Sequence, residues 1–569
     1  MANSQCDEPP SIRQEEGHLP PGTFLLIRED DAENHGQHRI LLSPVPTRDP
    51  NEPLNWSTAR KARNFTLVLA VTALIFTALT IQTIFWQLMV PNLQVTYTQL
   101  NWAISVNFVG LSMGCVVFIP LAKKFGRRPV YLVSTALMLV TSFWISRLES
   151  LTELYIANLL QGLAGATNES IVQITIADLF FVHHRGGMNA LYMTMVMIGS
   201  FLSPMAAGTQ AIRQGWRACY RTMGICNVIL FVLFMFLYEE TKYSKVIEGV
   251  SASAGPAGDA GDAQQVAVDN FKADRKSDLE CPASRVQTNT AGDHELDYTI
   301  PMKTWRQRLS LWTYTPEPIW SYFYRPFIVL TTFPAVLFCA VQYACGIALL
   351  TIMASVISLV FPMPPYLFTA QQVGFMSIGP FVGNLIGSFY GGFFGDRSIL
   401  FFARRNKGYY EPEMRLYILH LPALAFCGGP IMFGATVARG MHWIWPSIGG
   451  ALFGFGLGSI GDAALTLVID SYVDITGDAF TGVAFLRNAI SIAVPFAISP
   501  WMQRSGLTNM FIACGFLGLA ITMTIIPMVM YGKKIRFVVL PNPASGDPSD
   551  GKTWGDGTQL RRAGSRHLA

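Results

Sequence analysis

Charged residues are scarce in this sequence. Aspartate, glutamate, lysine and arginine make up only 14% of its 569 residues, whereas a soluble chain of this size would carry about 25%. Hydrophobic residues make up 51% and lie in long blocks. These features exclude an ordinary soluble domain and predict a chain that crosses a membrane many times. Since the net charge of +4 is small, we expect no nucleic-acid partner.

Three other features are missing. Residues 1–60 are polar and contain no apolar leader, so we expect the first membrane span to act as the targeting signal. The nine cysteines show neither metal-ligand spacing nor a disulfide framework. The glycine-rich run GGALFGFGLGSIGD lacks the Lys-Ser/Thr ending of a phosphate loop. We therefore expect no metal, no cofactor and no enzymatic activity.

Twelve apolar blocks are each near the roughly 20 residues that a membrane-spanning helix needs. They lie at about residues 64–86, 101–121, 129–146, 153–181, 188–208, 218–238, 327–355, 373–394, 415–437, 444–470, 479–501 and 510–531. A long polar stretch separates the sixth block from the seventh. The pattern predicts an all-α membrane protein with twelve transmembrane helices in two six-helix bundles.

Lysine and arginine are concentrated on one side of these spans. Basic clusters flank the first, second, eighth and twelfth spans on that side, whereas residues 87–100 and 356–372 contain no Lys or Arg. The positive-inside rule therefore places both termini in the cytosol. The predicted parts are a cytosolic N-terminal segment (1–60), a first bundle (61–240), a flexible cytosolic linker (241–324), a second bundle (325–532) and a disordered cytosolic tail (533–569).

Similar segments recur at matching places in the two halves. FIPLAKKFGRRPVYL follows the second span and YGGFFGDRSILFFARR the eighth, while ESIVQITIADLFFVHHRG ends the fourth span and DAALTLVIDSYVDITGDAF the tenth. If Asp178 and Asp470 correspond, Glu169 and Asp462 lie within one residue of the same depth. Halves repeated about an axis along the membrane normal are typical of transporters.

These segments, with DPNEPLNWSTARK before the first span and YGKKIR after the last, resemble the major facilitator superfamily. Within it, they are similar to the fungal twelve-span drug:proton antiporter branch, which is related to multidrug and secondary-metabolite efflux pumps and to histidinol and polyamine importers. The resemblance implies a proton-driven secondary transporter with a central cavity, active as a monomer. Two departures are Lys123, at the aspartate of the gate pattern G-x-L-A-D-R-x-G-R-R, and Asn158, at the arginine of R-x-x-Q-G.

The resemblance also suggests a cytosolic gate and a partial antiporter motif. We assign the gate to Gly126, Arg127, Arg128, Asp178, Arg185, Asp396 and Arg397. The segment GSFLSPMAAG resembles the antiporter motif at Gly199, Ser203, Pro204 and Gly208.

Two acids of the fourth span lie on opposite faces of a helix that turns 100° per residue. Glu169 shares a stripe with Asn158, Gly162 and Gln173, and we interpret it as a proton-titrating group on the cavity wall. The alternative is a protonated acid that makes a helix-to-helix hydrogen bond.

Asp178 lies on the other face, about one turn from the cytosol, where we expect it to pair with Arg127, Arg128 or Arg185. The alternative is that it only reaches interfacial water. Asp462 is a second candidate for proton coupling. We interpret Arg487, near the start of the eleventh span, as a residue that extends to the membrane interface.

Polar residues within spans are candidates for the substrate cavity, although each could equally be a contact between helices. They are Asn158, Gln161, Gln173, Gln82, Tyr192, Gln342, Tyr343 and Asn384. A mostly apolar cavity with few polar groups suits an amphipathic organic molecule.

The sequence thus predicts a transporter that exports a small amphipathic organic compound, a drug or secondary metabolite, in exchange for protons. The predicted location is the plasma membrane, with a vacuolar or other internal membrane as the alternative. The partners are then the substrate, protons and the lipid bilayer. One rival is proton-coupled uptake of a small organic cation or polyamine, and another is a nutrient sensor that does not transport.

Overall fold

The protein is almost entirely helical in a computed structural model of the chain. The structure describes residues 24–25, 49–243, 302–313, 319–406, 409–472 and 475–539. Most of the predicted N-terminal segment, linker and C-terminal tail therefore lies outside the described residues.

The first half contains six long helical passages. They are Thr58–Ile84 with the short helix Trp86–Leu93, then Tyr97–Phe125, Arg127–Ile145, Leu151–Leu179, the broken passage Val182–Met197, Ile198–Leu202 and Ser203–Gln214, and Trp216–Leu237. We call these the first to sixth spans. The fifth is broken by the π-helical turn Ile198–Leu202, which ends where Pro204 enters the next helix.

The second half repeats this arrangement. Its helices are Ile319–Thr332 with Pro334–Val360, then Ala370–Phe375, Ile378–Phe389, Tyr390–Phe394 and Gly395–Arg405, then Pro412–Leu419 with His420–Ala438, then Ile444–Ser471, Thr476–Thr522 and Ile525–Val539. Phe24–Leu25 and Tyr409–Tyr410 form a small antiparallel pair of strands. The helices between Ile319 and Val360 form the seventh span, and those between Ala370 and Arg405 form the eighth. The helices between Pro412 and Ala438 form the ninth span, and Ile444–Ser471 is the tenth.

The described helices together make twelve membrane spans. Ten helical stretches in the described ranges are long and apolar enough to cross a membrane. One of them, Thr476–Lys534, has 59 residues, and Gly506 divides it into the eleventh and twelfth spans because its φ of 73° is not helical. The fourth span, with 29 residues, is a further passage. The predicted twelve-helix, all-α fold is confirmed.

Glycines allow the helices of each half to touch along their backbones. A Cβ added at Gly162 on the fourth span would lie 2.0 Å from the carbonyl oxygen of Asn107 on the second. A Cβ at Gly383 on the eighth span would lie 1.9 Å from the carbonyl oxygen of Ala451 on the tenth. Since only a hydrogen fits at either site, the two halves are built around the same close crossing.

The most extensive contacts between the described parts of the two halves are made by two pairs of helices. The second span packs against the eleventh, and the fifth against the eighth. At the latter contact, a Cβ at Gly208 would lie 2.7 Å from the carbonyl oxygen of Ala370, and one at Gly374 would lie 2.8 Å from that of Pro204. The central space between these contacts is enclosed by both halves.

The described end of the predicted linker is bound to the first half. Its short helix is Trp305–Arg308. The backbone N–H of Thr313 donates to the carbonyl oxygen of Phe125 at 2.8 Å, and the Arg128 guanidinium donates to that of Leu309. Residues 302–313 therefore cover the turn between the second and third spans.

The close crossing in the second half can be tested with Gly383→Val. We expect this change to destabilise the fold by at least about 3 kcal/mol, the upper end of ordinary overpacking, because its side chain would overlap the tenth-span backbone. Gly428→Val is the matched control, since nothing lies within 4 Å of a Cβ there. Melting temperatures of the purified proteins measure the difference, and equal values for the two variants would contradict the backbone contact.

Candidate functional site

A cavity lies between the two halves, and both contribute to its wall. Its apolar lining comes from side chains such as Phe76, Val196, Ile347 and Phe480. Its polar lining consists of Glu169, Gln173, Tyr192, Ser200, Tyr343, Asn384, Ser388, Asp462 and Arg487. The empty space is about 960 Å³ when the open mouth is included. This is a largely apolar chamber with a few charged and polar groups at mid-depth.

Glu169 is joined to the other half of the protein by an ion pair. Its carboxylate contacts the Arg487 guanidinium, and the two side chains are only 5% and 12% exposed. Asn488 donates from its Nδ2 to the second carboxylate oxygen at 2.7 Å. The Arg487 guanidinium also lies 5.9 Å from the centre of the Tyr343 ring. The negative charge of Glu169 on the fourth span is therefore balanced by the positive charge of Arg487 on the eleventh.

The position of Arg487 corrects the expectation that it extends to the interface. The eleventh span begins at Thr476, so Arg487 lies eleven residues inside it, about 16 Å along the helix. That depth brings its guanidinium to the cavity instead of to the headgroups. The position of Arg487 so far inside the span was the sequence signal that could have identified it as a cavity residue.

Asp462 lines the same cavity from the second half, but its surroundings differ from those of Glu169. Within the described part of the chain, no Lys or Arg forms an ion pair with it. Ser388 and Asn384 lie on the neighbouring eighth span and line the cavity beside it. Among the described residues, two carboxyl groups therefore line the cavity, and one of them is balanced by an arginine.

Four of the eight predicted cavity residues lie on the cavity wall: Gln173, Tyr192, Tyr343 and Asn384. The other four do not, and these are Asn158, Gln161, Gln82 and Gln342, all of which are buried between helices.

The helix contacts explain why the stripe on the fourth span does not continue as cavity wall. Asn107 of the second span donates to the carbonyl oxygen of Asn158 at 3.1 Å, so that helix covers the stripe at this depth. Gln342 donates to the carbonyl oxygen of Ile521 at 2.9 Å and so joins the seventh span to the twelfth. Helical periodicity gives the face of a residue but not the neighbour that covers it.

Of the three predicted partners of Asp178, the structure places Arg127 against it. The Arg127 Nε lies 3.0 Å from Asp178 Oδ2, and both belong to the first half. Arg185 donates to the carbonyl oxygens of Phe180 and Ala177 at 3.0 and 2.9 Å. Its guanidinium therefore caps the C-terminal carbonyl groups of the fourth span.

Arg128 is directed away from Asp178 and is only 3% exposed. It donates to the carbonyl oxygens of Met235, at 2.6 Å, and of Leu309. The carboxylate of Glu240 accepts from the backbone N–H groups of Arg127 and Arg128, at 2.9 and 3.1 Å, at the start of the third span. This acid supplies the helix cap that Gly126 cannot, because Gly126 has no side chain.

The corresponding residues of the second half behave differently. Arg397 is exposed and lies 4.4 Å over the Phe393 ring, while the side chain of Asp396 lies outside the described residues. Asp470 is bonded by Arg415, from Nε at 3.2 Å, and by the hydroxyl of Tyr410 at 2.5 Å. Sequence reasoning missed both partners because Tyr410 precedes the ninth span and Arg415 lies near its start, outside the gate pattern.

Lys123 also forms an ion pair that the sequence did not predict. Its ammonium group contacts the carboxylate of Asp478, in the first turn of the eleventh span. The pair joins the two halves at the Lys- and Arg-rich end of the bundle.

The four residues of the antiporter motif link the fifth span to two neighbours. Ser203 Oγ lies 2.8 Å from Thr77 Oγ1 on the first span. A Cβ at Gly199 would lie 2.7 Å from the carbonyl oxygen of Ala73. Pro204 and Gly208 approach the eighth span of the other half. The motif therefore lies at a helix contact between the halves.

The apolar chamber with its polar groups has the lining of a site for a small molecule. Among the described residues, no three His, Cys, Asp or Glu side chains come together in a way that would hold a metal ion.

Comparison with known proteins agrees with this architecture. The family model described as Major Facilitator Superfamily matches residues 67–495. An uncharacterized MFS-type transporter of Schizosaccharomyces pombe, C1271.10c, is 28% identical, with 91% of this chain and 92% of the relative covered. The multidrug transporter TPO1_1 of Candida glabrata is 24% identical over 86% of this chain and 78% of its own.

A solved structure shares the fold. The xylose transporter XylE from E. coli matches with a TM-score of 0.52 at 10% identity, covering 82% of this chain and 99% of its own. At that identity, the match bears on the fold alone.

The contacts of Asp178 predict that its contribution to stability is coupled to that of Arg127 and not to that of Arg128. Asp178→Asn and Arg127→Gln should each lower the melting temperature, and the double variant should lose less than the sum because one ion pair is removed in all three. Arg128→Gln combined with Asp178→Asn is the control, and its losses should add because Arg128 bonds elsewhere. Additive losses for Arg127 with Asp178 would contradict the pair.

Proposed function

This chain belongs to the Major Facilitator Superfamily, and we propose that it is a proton-coupled transporter that exports a small amphipathic organic compound by alternating access. The observation that carries the proposal is the buried ion pair between Glu169 and Arg487, which crosses from one half to the other inside the cavity. A multi-pass membrane location follows from the family and the helices. The plasma membrane is our proposed location.

The ion pair suggests how a proton could be coupled to movement of the halves. Glu169 attracts Arg487 only while its carboxyl group is ionised, and in surroundings that exclude water this attraction is much stronger than at a surface. A proton on Glu169 removes the attraction and leaves Arg487 and Asn488 of the second half free to move away. Proton uptake would then favour separation of the halves at this depth.

The cavity wall supports an amphipathic substrate. Phe76, Met193, Val196 and Phe480 offer apolar surface, and the polar groups lie at mid-depth where they can orient one end of a molecule. The C. glabrata relative is named a multidrug transporter, which supports a drug-like compound as the substrate. Neither argument selects one compound.

Glu169→Gln tests proton coupling. The amide keeps the shape of the side chain, and its oxygen can still accept from Asn488, but it cannot release or take up a proton. Gradient-driven export should be abolished, while folding and substrate binding are largely kept. Glu169→Asp should retain part of the activity with a shifted pH profile.

Glu153→Gln is the matched control, because Glu153 belongs to the N-terminal cap of the same helix and lies outside the cavity. Export should persist in this variant. If Glu169→Gln still concentrates substrate in response to a proton gradient, coupling resides elsewhere, with Asp462 the next candidate.

Proton-coupled uptake of an organic cation or polyamine is the second candidate function. The observation in its favour is the Asp462 carboxyl group, which lines the cavity without an ion-pair partner in the described ranges. Inside-out vesicles with an acidic lumen separate the two functions. Export by antiport fills the vesicles with substrate as protons leave, whereas proton-coupled uptake carries substrate out of the lumen with the protons.

A further inference from the structure

Residues 302–313, the described end of the predicted linker, expose basic and apolar side chains together. Lys303 and Arg306 are exposed, and neither forms an ion pair within the described ranges. Four large apolar residues of the segment are between 46% and 66% exposed: Met302, Trp305, Leu311 and Trp312. Exposed apolar side chains gathered in one short segment indicate a surface that binds something.

The segment is fixed against the ends of the third and sixth spans. The Arg128 guanidinium donates to the carbonyl oxygens of both Leu309 and Met235, so the segment and the last turn of the sixth span share one side chain. The backbone N–H of Glu240, just after the sixth span, donates to the carbonyl oxygen of Arg308 at 3.3 Å. These bonds place the middle of the segment at the Lys- and Arg-rich end of the two spans.

The third and sixth spans both expose apolar faces. On the sixth span, Phe236 and Ile229 lie two turns apart and are 58% and 57% exposed. On the third span, Val133 and Val140 are also two turns apart, and each is 54% exposed. In a chain that crosses a membrane, lipid tails cover such faces. Because Phe236 directly follows Met235, residues 302–313 lie where the lipid-covered part of the sixth span ends.

The surface of an anionic membrane matches both the position and the side chains of this segment. The positive-inside rule predicts that the Lys- and Arg-rich end of the bundle faces the cytosol, and the cytoplasmic leaflet carries anionic headgroups that attract neighbouring Lys and Arg side chains. Tryptophan is favoured at the same level, since its ring is apolar and its N–H is polar. A soluble acidic partner would match the charges but not this position.

We propose that residues 302–313 dock on the anionic lipid headgroups of the adjoining leaflet. Lys303 and Arg306 bind the headgroup charges, and the exposed tryptophan and leucine side chains of the segment enter the interface between headgroups and tails. This end of the linker is then a lipid-binding segment as well as a connection between the halves. The proposal does not depend on the substrate, the proton coupling or the direction of the proposed function.

Hydrogen exchange of the full chain in lipid nanodiscs tests the proposal. One set of discs contains phosphatidylcholine alone, and the other contains phosphatidylcholine mixed with phosphatidylserine. Exchange of the backbone N–H groups of residues 302–313 is measured by mass spectrometry. It should be about tenfold slower in the anionic discs, within the roughly thirtyfold that two basic residues add to binding at such a surface.

The variant Lys303→Gln with Arg306→Gln should lose most of this difference between the two kinds of disc, because the charges that bind the headgroups are gone. Arg404→Gln with Arg405→Gln is the matched control, since both arginines are exposed in the last turn of the eighth span and have no ion pair among the described residues. This control should keep the full difference. Equal exchange in the two kinds of disc for the starting protein, or a full difference in the Lys303 and Arg306 variant, would overturn the proposal.

Depth-dependent quenching tests the apolar part of the contact. Leu311→Cys is labelled with a fluorophore in the anionic discs, and protein without this change is treated in the same way to give the background. A nitroxide on the lipid headgroup should quench the fluorophore more strongly than a nitroxide near the end of the acyl chains. Quenching by neither would place the segment in water and contradict the proposal.

Discussion

A charge that leaves water for the interior of a membrane protein has to be balanced, and most of this structure follows from how that is done. The fourth span carries Glu169 to mid-depth, and its counter-charge comes from Arg487 in the other half. An unpaired charge in such surroundings costs several kcal/mol or more. The ion pair therefore joins the two bundles at mid-depth, and in the proposed mechanism a proton on Glu169 removes this attraction.

Close backbone packing makes this arrangement rigid. Because Gly162 and Gly383 leave no room for side chains, each half has a fixed crossing between two of its helices. The acids lie on the helices that form these crossings, Glu169 on the fourth span and Asp462 on the tenth. In the proposed transport cycle, each half would carry its acid as one body.

The architecture could be predicted from the sequence because it depends on local properties. Blocks of apolar residues gave twelve passages, and the similar segments around Asp178 and Asp470 gave the division into halves. Pairing across the halves could not be predicted, since neither periodicity nor spacing records which helix faces which. Arg487 is the clearest case: a position count places it inside a span, but only the packing places it against Glu169.

The Lys123–Asp478 pair has a consequence for how such a sequence can change over generations. The ion pair would survive an exchange of the two charges, but the exchange takes two substitutions at positions 355 residues apart. Either first step creates a chain with two ammonium groups or two carboxylates in contact. A lineage could pass between the two polarities most easily through a form with a neutral residue at one position, where neither attraction nor repulsion acts. The sign of the charge at position 123 is therefore constrained by the sign of the charge at position 478.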